Sequence, residues 1–189
     1  MSAPTTFLPV APTRHRLALQ VAAVVLGSLI LTLSAKIQVP FWPVPMTMQT
    51  GVVLLFGMLM GPRLAVATVA LYLAQGAMGL PVFAGTPEKG LGLAYMMGPT
   101  GGYIVGWLFA AAFLGWVAER SKTAWVLFPA ALVAVALNYA PGLVWLSQFT
   151  GWENVVALGA LPFILGDAVK AGLAVALALA VRGALTRPR

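Results

Sequence analysis

From Leu17 to Leu33 the chain carries no charged residue, and the run is bounded by Arg14-His15-Arg16 on one side and Lys36 on the other. A transmembrane helix needs about 20 mainly apolar residues. Breaking the rest of the chain at charges and at Pro/Gly clusters gives six segments of this character, about 16–35, 46–61, 63–80, 101–118, 124–146 and 160–182. Backbone N–H and C=O groups in hydrocarbon have to be satisfied within the protein, which restricts such segments to helices. Composition leads the same way. Only 8% of residues are charged, against about 25% in a soluble domain, too few to cover a water-soluble globule. The expected fold class is an all-α integral membrane protein of six transmembrane helices, a single membrane domain over 1–189 with a short N-terminal tail at 1–15.

The connections between these segments alternate in charge. Arg14, Arg16, Arg63, Arg120, Lys122, Arg182, Arg187 and Arg189 share one side, eight of the 11 basic residues, whereas Lys36 and Lys89 face the other and Lys170 is left within a segment. Lys and Arg accumulate in cytoplasmic loops, so both termini are expected in the cytoplasm and the number of spans is even. The first segment follows basic residues as a signal peptide does. Its apolar run is longer than a usual signal core and five more segments follow, so it reads as a retained span. The cytoplasmic turns are short. The outer connections, Lys36–Met48, Pro81–Gly102 and Ser147–Gly159, are long and rich in Pro, Gly and aromatics. They are expected to fold back over the bundle as a lid.

Two opposite charges stand inside the last segment, Asp167 and Lys170 in Pro162-Phe-Ile-Leu-Gly-Asp-Ala-Val-Lys170. A charge at the centre of a membrane helix costs roughly 2.5–3.5 kcal/mol on insertion scales. Three residues apart, the two side chains are neighbours on one helical face. With the helix entering near Pro162, a rise of about 1.5 Å per residue puts them roughly 7 and 12 Å below its outer end. An outward-opening pocket with one acceptor and one donor, roofed by apolar loops, suits a small amphipathic ligand. The same pair also reads as an intrahelical ion pair that makes both charges tolerable, although apolar replacements of such pairs are often neutral or stabilising. A proton pathway would use a relay of acidic residues or histidines, and Asp167 is the one acidic residue within a segment.

Other chemistries find little support. The chain has no cysteine, and its single histidine, His15, lies between two arginines at the membrane surface, so no metal set is expected. The basic residues do not gather on one soluble face, which argues against nucleic acid. Gly98-Pro-Thr-Gly-Gly102 lacks the spacing of a phosphate loop and reads as a turn feeding the fourth helix. Without a nucleotide-binding motif, any ATP-driven step belongs to a partner. Ala18-x-x-x-Ala22 has the small-residue spacing that permits close helix–helix approach. Trp42, Trp145 and Trp152 fall near the outer interface as anchors, with Trp42 also a candidate for pocket lining.

Together, Lys36-Ile-Gln-Val-Pro40, Pro43-Val-Pro-Met-Thr-Met-Gln-Thr50, Tyr72-Leu-Ala-Gln-Gly-Ala-Met-Gly-Leu-Pro-Val-Phe-Ala-Gly85, Gly98-Pro-Thr-Gly-Gly-Tyr103 and Pro162–Lys170 resemble the BioY family. These are the biotin-specific S components of energy-coupling factor (ECF) transporters, and the resemblance runs from about Ala18 to Lys170. It implies the six-helix S-component fold, high-affinity capture of biotin from outside, and coupling to a transmembrane T protein and cytoplasmic ATPases in a bacterial inner membrane. It further implies that biotin is a transported ligand rather than a cofactor, and that Ala18 and Ala22 face the T protein. Asp167 and Lys170 are then the polar anchors, Asp167 accepting from ureido N–H groups and Lys170 donating to a biotin oxygen. Met46, Gln49, Phe83 and Tyr95 are further candidates for roof and wall. Membrane lipid is the surrounding partner, and a homo-oligomer stays open. A transport subunit of this kind carries out no catalysis. The competing readings are a small transporter or a membrane enzyme for another amphipathic carboxylated ligand, with Asp167 as general acid or base, and a purely structural subunit.

Overall fold

A computed structural model describes residues 13–186. The tail up to residue 12, with Arg187 and Arg189, lies outside the described residues. Seven helices follow in order: α1 Thr13–Lys36, α2 Gln49–Ala77, α3 Gly92–Met96, α4 Gly101–Arg120, α5 Ala124–Thr150, α6 Val155–Gly159 and α7 Leu161–Thr186. Five of them, α1, α2, α4, α5 and the unit containing α7, are long and apolar enough to cross a membrane. His15 falls in the first turn of α1 and is exposed.

The helix α2 is two helices in space. Gly61 has φ 76° and ψ 171°, a conformation open to glycine because it has no Cβ, and Pro62 follows with no N–H to continue the ladder. The chain folds back there. Gln49 Nε2 donates to Tyr72 Oη at 2.7 Å although 23 residues separate them, whereas a straight helix would hold them roughly 34 Å apart. The two limbs, before and after Gly61, are antiparallel neighbours, as the Gly61-Pro62-Arg63 turn led one to expect, and each is shorter than a full membrane span.

Opposite ends of the bundle are built differently. At one end the α2 turn meets the end of α4, where Gly115 lies against Pro62 so closely that a Cβ would collide with its backbone. Arg182 reaches into this junction, its Nη2 donating to the carbonyls of Met58 and Ala118. Both carbonyls lie in terminal turns that lack intrahelical donors, and Met58 precedes Pro62 by one turn. Arg182, expected as a loop charge, is therefore buried inside α7, because two helix C-termini converge on it.

At the other end the long connections pack inward. Val44, Val82, Phe83, Ala84 and Val155 are buried. A short antiparallel pair, β1 Gln38–Val39 with β2 Met46–Thr47, shapes the first connection. The third connection is shorter than expected, since α5 continues to Thr150. The apolar core runs along α2, α4, α5 and α7, with α4 packed chiefly on α2 and α5. The helix α1 packs mainly on α2. Its other side, with Leu17, Val21, Val25, Leu29 and Leu33, is exposed.

Candidate functional site

Beneath the inward-folded connections lies a cleft lined by apolar, hydroxyl and charged side chains. Its walls come from the first and second connections and from α2, α3, α4, α5 and α7. Asp167 and Lys170 stand at its inner side, 4% and 7% exposed. Lys170 Nζ donates to Asp167 Oδ1 at 2.9 Å. The other carboxylate oxygen, Oδ2, accepts from Tyr139 Oη on α5 at 2.6 Å. The charged pair is therefore a triad. A buried ion pair repays its desolvation only when further hydrogen bonds satisfy it, and Tyr139 supplies one of them. Gly51 on α2 lies alongside the Lys170 stem, where a Cβ would make an ordinary contact at 3.4 Å from Lys170 Cβ.

Of the other expected residues, Met46, Gln49 and Tyr95 border the cleft. Met46 lies over Gly166, where an added Cβ would come 2.9 Å from its sulfur, so it sits one residue from Asp167. Gln49 is largely committed elsewhere: Nε2 donates to Tyr72 Oη and, at 3.4 Å, to Leu31 O, while Oε1 accepts from Thr47. Tyr72 Oη in turn donates to Val82 O at 3.1 Å. This chain joins α1, both limbs of α2 and the outer connection behind the cleft wall. Burial raises the Tyr95 pKa above its ordinary value, which keeps the phenol protonated.

Phe83 is one layer further back. It is 1% exposed, does not border the cleft, and stacks on Tyr95 with ring centroids 4.8 Å apart. It also meets Tyr72 edge-on at 5.4 Å and brings the tip of its ring against Gly76, where a Cβ would overlap it. The missing side chain at Gly76 draws the ring into the core and leaves Tyr95 at the surface of the cleft. Trp42 is likewise outside the cleft, 79% exposed, because the adjoining Val44 and Pro45 turn inward in its place. Trp152 is exposed, and Trp145 Nε1 donates to Gly98 O at 2.8 Å, holding the turn that leads into α4. Ala18 and Ala22 lie on the exposed side of α1, away from the cleft.

Three residues that sequence reasoning passed over line the same cleft: Tyr139, Asn138 and Trp107. Asn138 and Trp107 are 3% and 5% exposed. Asn138 Oδ1 and Trp107 Nε1 have no hydrogen-bond partner among the described residues. A buried polar atom left in this way costs about 1–3 kcal/mol. Asn138 had a visible signal, a carboxamide in the middle of an uncharged apolar segment. Trp107 and Tyr139 had none, since aromatic residues are ordinary in such helices. No group of three or more His, Cys, Asp or Glu side chains suited to a metal occurs among the described residues.

Comparison with known proteins bears on this arrangement. The model of the BioY family matches residues 6–187. The chain is 37% identical over 164 residues to a probable biotin transporter BioY of Pyrococcus horikoshii, covering 87% of this chain and 96% of that protein. It is 34% identical over 155 residues to the biotin transporter BioY of Thermotoga maritima, covering 81% and 89%. A crystal structure of the S-component for biotin from an ECF-type ABC transporter superposes with a TM-score of 0.80 at 27% identity, covering 92% of this chain and 95% of that one.

Proposed function

This chain belongs to the BioY family, and from that premise we propose that it is the biotin-capturing S component of an ECF-type uptake transporter. The observation that carries the reading is the buried Asp167–Lys170–Tyr139 triad facing a cleft under apolar connections. Biotin matches that surface. Its ureido N–H groups need an acceptor, which the remaining lone pairs of Asp167 supply. Its ureido or carboxylate oxygen needs a donor, which Lys170 supplies with the two protons not given to Asp167. The thiophane ring and alkyl chain suit Val44, Met46, Ile104 and Phe163 along the walls.

The multi-pass chain resides in a cytoplasmic membrane, with both termini and the Arg182 junction inside and the cleft outside. The clustering of Arg14, Arg16, Arg63, Arg120 and Lys122 at one end supports this orientation. Energy comes from a T-type membrane protein and cytoplasmic ATPases, with the exposed face of α1 carrying Ala18 and Ala22 as the docking surface for the T protein. The S component itself binds and releases biotin without chemical change. Isothermal titration of biotin into the detergent-solubilised protein, with Asp167→Asn beside it, tests the reading. One-to-one binding that is lost in the variant supports it, and absence of binding to the unmodified protein overturns it.

A further inference from the structure

The short connection between α4 and α5 gathers cations and exposed indoles at one edge of the bundle. Only Ser121, Lys122 and Thr123 separate Arg120, the last residue of α4, from Ala124, the first of α5. Trp116 lies one turn before the end of α4 and is 50% exposed, and Trp125 lies in the first turn of α5 and is 89% exposed. Both indoles thus stand at the same end of two packed helices, where tryptophan meets the membrane interface. Arg120 is held over one of them. Its guanidinium carbon stands 3.9 Å from the centroid of the Trp116 ring, and its Nη1 donates to Trp116 O at 2.9 Å. These two contacts fix the plane of the guanidinium on the exposed side of α4. Lys122 adds a second exposed positive charge. Glu119 does not cancel them, because its carboxylate turns to the α2 fold-back, where a Cβ on Gly61 would come 3.1 Å from Oε1.

The opposite end of the bundle has an exposed indole with the opposite charge beside it. Trp152 is 67% exposed and is followed by Glu153, whose carboxylate lies against Gly151. Tryptophan alone suits either membrane surface, whereas a guanidinium stacked on it favours an anion. We propose that the α4–α5 turn, with Trp116, Arg120, Lys122 and Trp125, binds the headgroup of an anionic phospholipid. The Nε–Nη2 edge of Arg120 offers two parallel N–H groups, which match two oxygens of a phosphate. Stacking on Trp116 holds that edge in place before the lipid arrives, so less side-chain freedom is lost on binding. The indole faces cover the glycerol region and the first methylenes, and Lys122 strengthens attraction to a negatively charged leaflet. The turn lies on different elements from the exposed face of α1, and it does not border the cleft. The proposal therefore stands apart from the biotin reading.

Brominated lipids quench indole fluorescence on contact, and they test this with the full chain in phosphatidylcholine nanodiscs. Brominated phosphatidylglycerol is expected to quench at a mole fraction at least about fivefold lower than brominated phosphatidylcholine. Replacing both indoles, Trp116→Phe with Trp125→Phe, should remove that difference. Arg120→Gln should raise the phosphatidylglycerol midpoint about fivefold, and adding Lys122→Gln should bring the two curves together. Arg63→Gln removes a charge from the α2 turn at the same end of the bundle and should leave both curves unchanged. Equal quenching by the two lipids in the unmodified protein overturns the proposal, as does a preference that survives the double charge variant. If the two lipids quench alike and Arg120→Gln instead lowers recovery of an assembled transporter, the turn is a protein contact and the proposal fails. Melting curves establish that each variant is folded. Should Arg120→Gln not fold, the two-lipid comparison in the unmodified protein and in the tryptophan variant decides alone.

Discussion

The Nζ of Lys36 lies 3.0 Å from the carbonyl oxygen of Phe83, which ties the last turn of α1 to the connection over the cleft. The same ammonium donates to Pro81 O at 2.9 Å and to Thr86 O at 3.2 Å. A lysine gathering carbonyls in this way serves as a clasp, and Phe83 passes its position on to Tyr95 by stacking. The helix α1 otherwise packs mainly on α2, so this clasp joins the exposed helix to the roof of the cleft.

Lys36→Met should therefore loosen the roof while leaving the inner recognition groups in place. Hydrogen bonds from a charged donor contribute about 1.5–3 kcal/mol, so biotin should dissociate about tenfold faster, with little change in association. Chase experiments with labelled biotin measure this directly, and Lys36→Arg should restore much of the slow release. An unchanged dissociation rate would mean that Phe83 packing alone holds the connection.

Asp167→Asn should weaken biotin binding by about 2–5 kcal/mol, as expected when one member of a buried, hydrogen-bonded charge pair is removed. The double variant Asp167→Asn, Lys170→Met separates ligand binding from structural support. Because apolar replacement of a buried pair is often neutral for stability, that variant should melt near the unmodified protein yet bind no biotin in a titration. A large fall in melting temperature would instead identify the pair as a structural support.

Arg182→Met should destabilise the fold without touching biotin affinity. The guanidinium satisfies carbonyls at the ends of the first α2 limb and α4, and leaving them unpaired costs about 3 kcal/mol. Thermal unfolding in detergent should show a clear drop, while titration of the surviving folded protein gives the unmodified affinity. A lowered affinity would reveal coupling between the two ends of the bundle.

Ala18→Trp and Ala22→Trp add bulk to the exposed side of α1, where close approach by another helix requires small residues. Biotin titration should be unaffected, and co-purification with the T protein and ATPases should fail. Assembly that survives both changes would move the docking surface off this face.

Much of the architecture was legible because its causes are local. Apolar runs of membrane length, the Gly61-Pro62 break and the Asp167/Lys170 spacing each depend on residues close in the chain. Phe83 illustrates the opposite case. Its motif marked it as a wall residue, but the ring goes wherever space exists, and the space is above Gly76, seven residues earlier on another element. Arg182 looked like a loop charge for the same reason, since the carbonyls that hold it come from α2 and α4.

The sequence by itself determined a helical membrane protein, the Gly61-Pro62 fold-back and the placing of Asp167 and Lys170 on one face of the last helix, because hydropathy and helical periodicity act over one or two turns. Only the tertiary structure decided that Tyr139 joins Asp167, that Lys36 clasps the roof, and that Trp107 and Asn138 lie beside the same cleft. Hydrogen bonding is short-ranged and directional. Which donor finds which acceptor depends on how the helices pack, and that packing is set by contacts spread over the whole bundle.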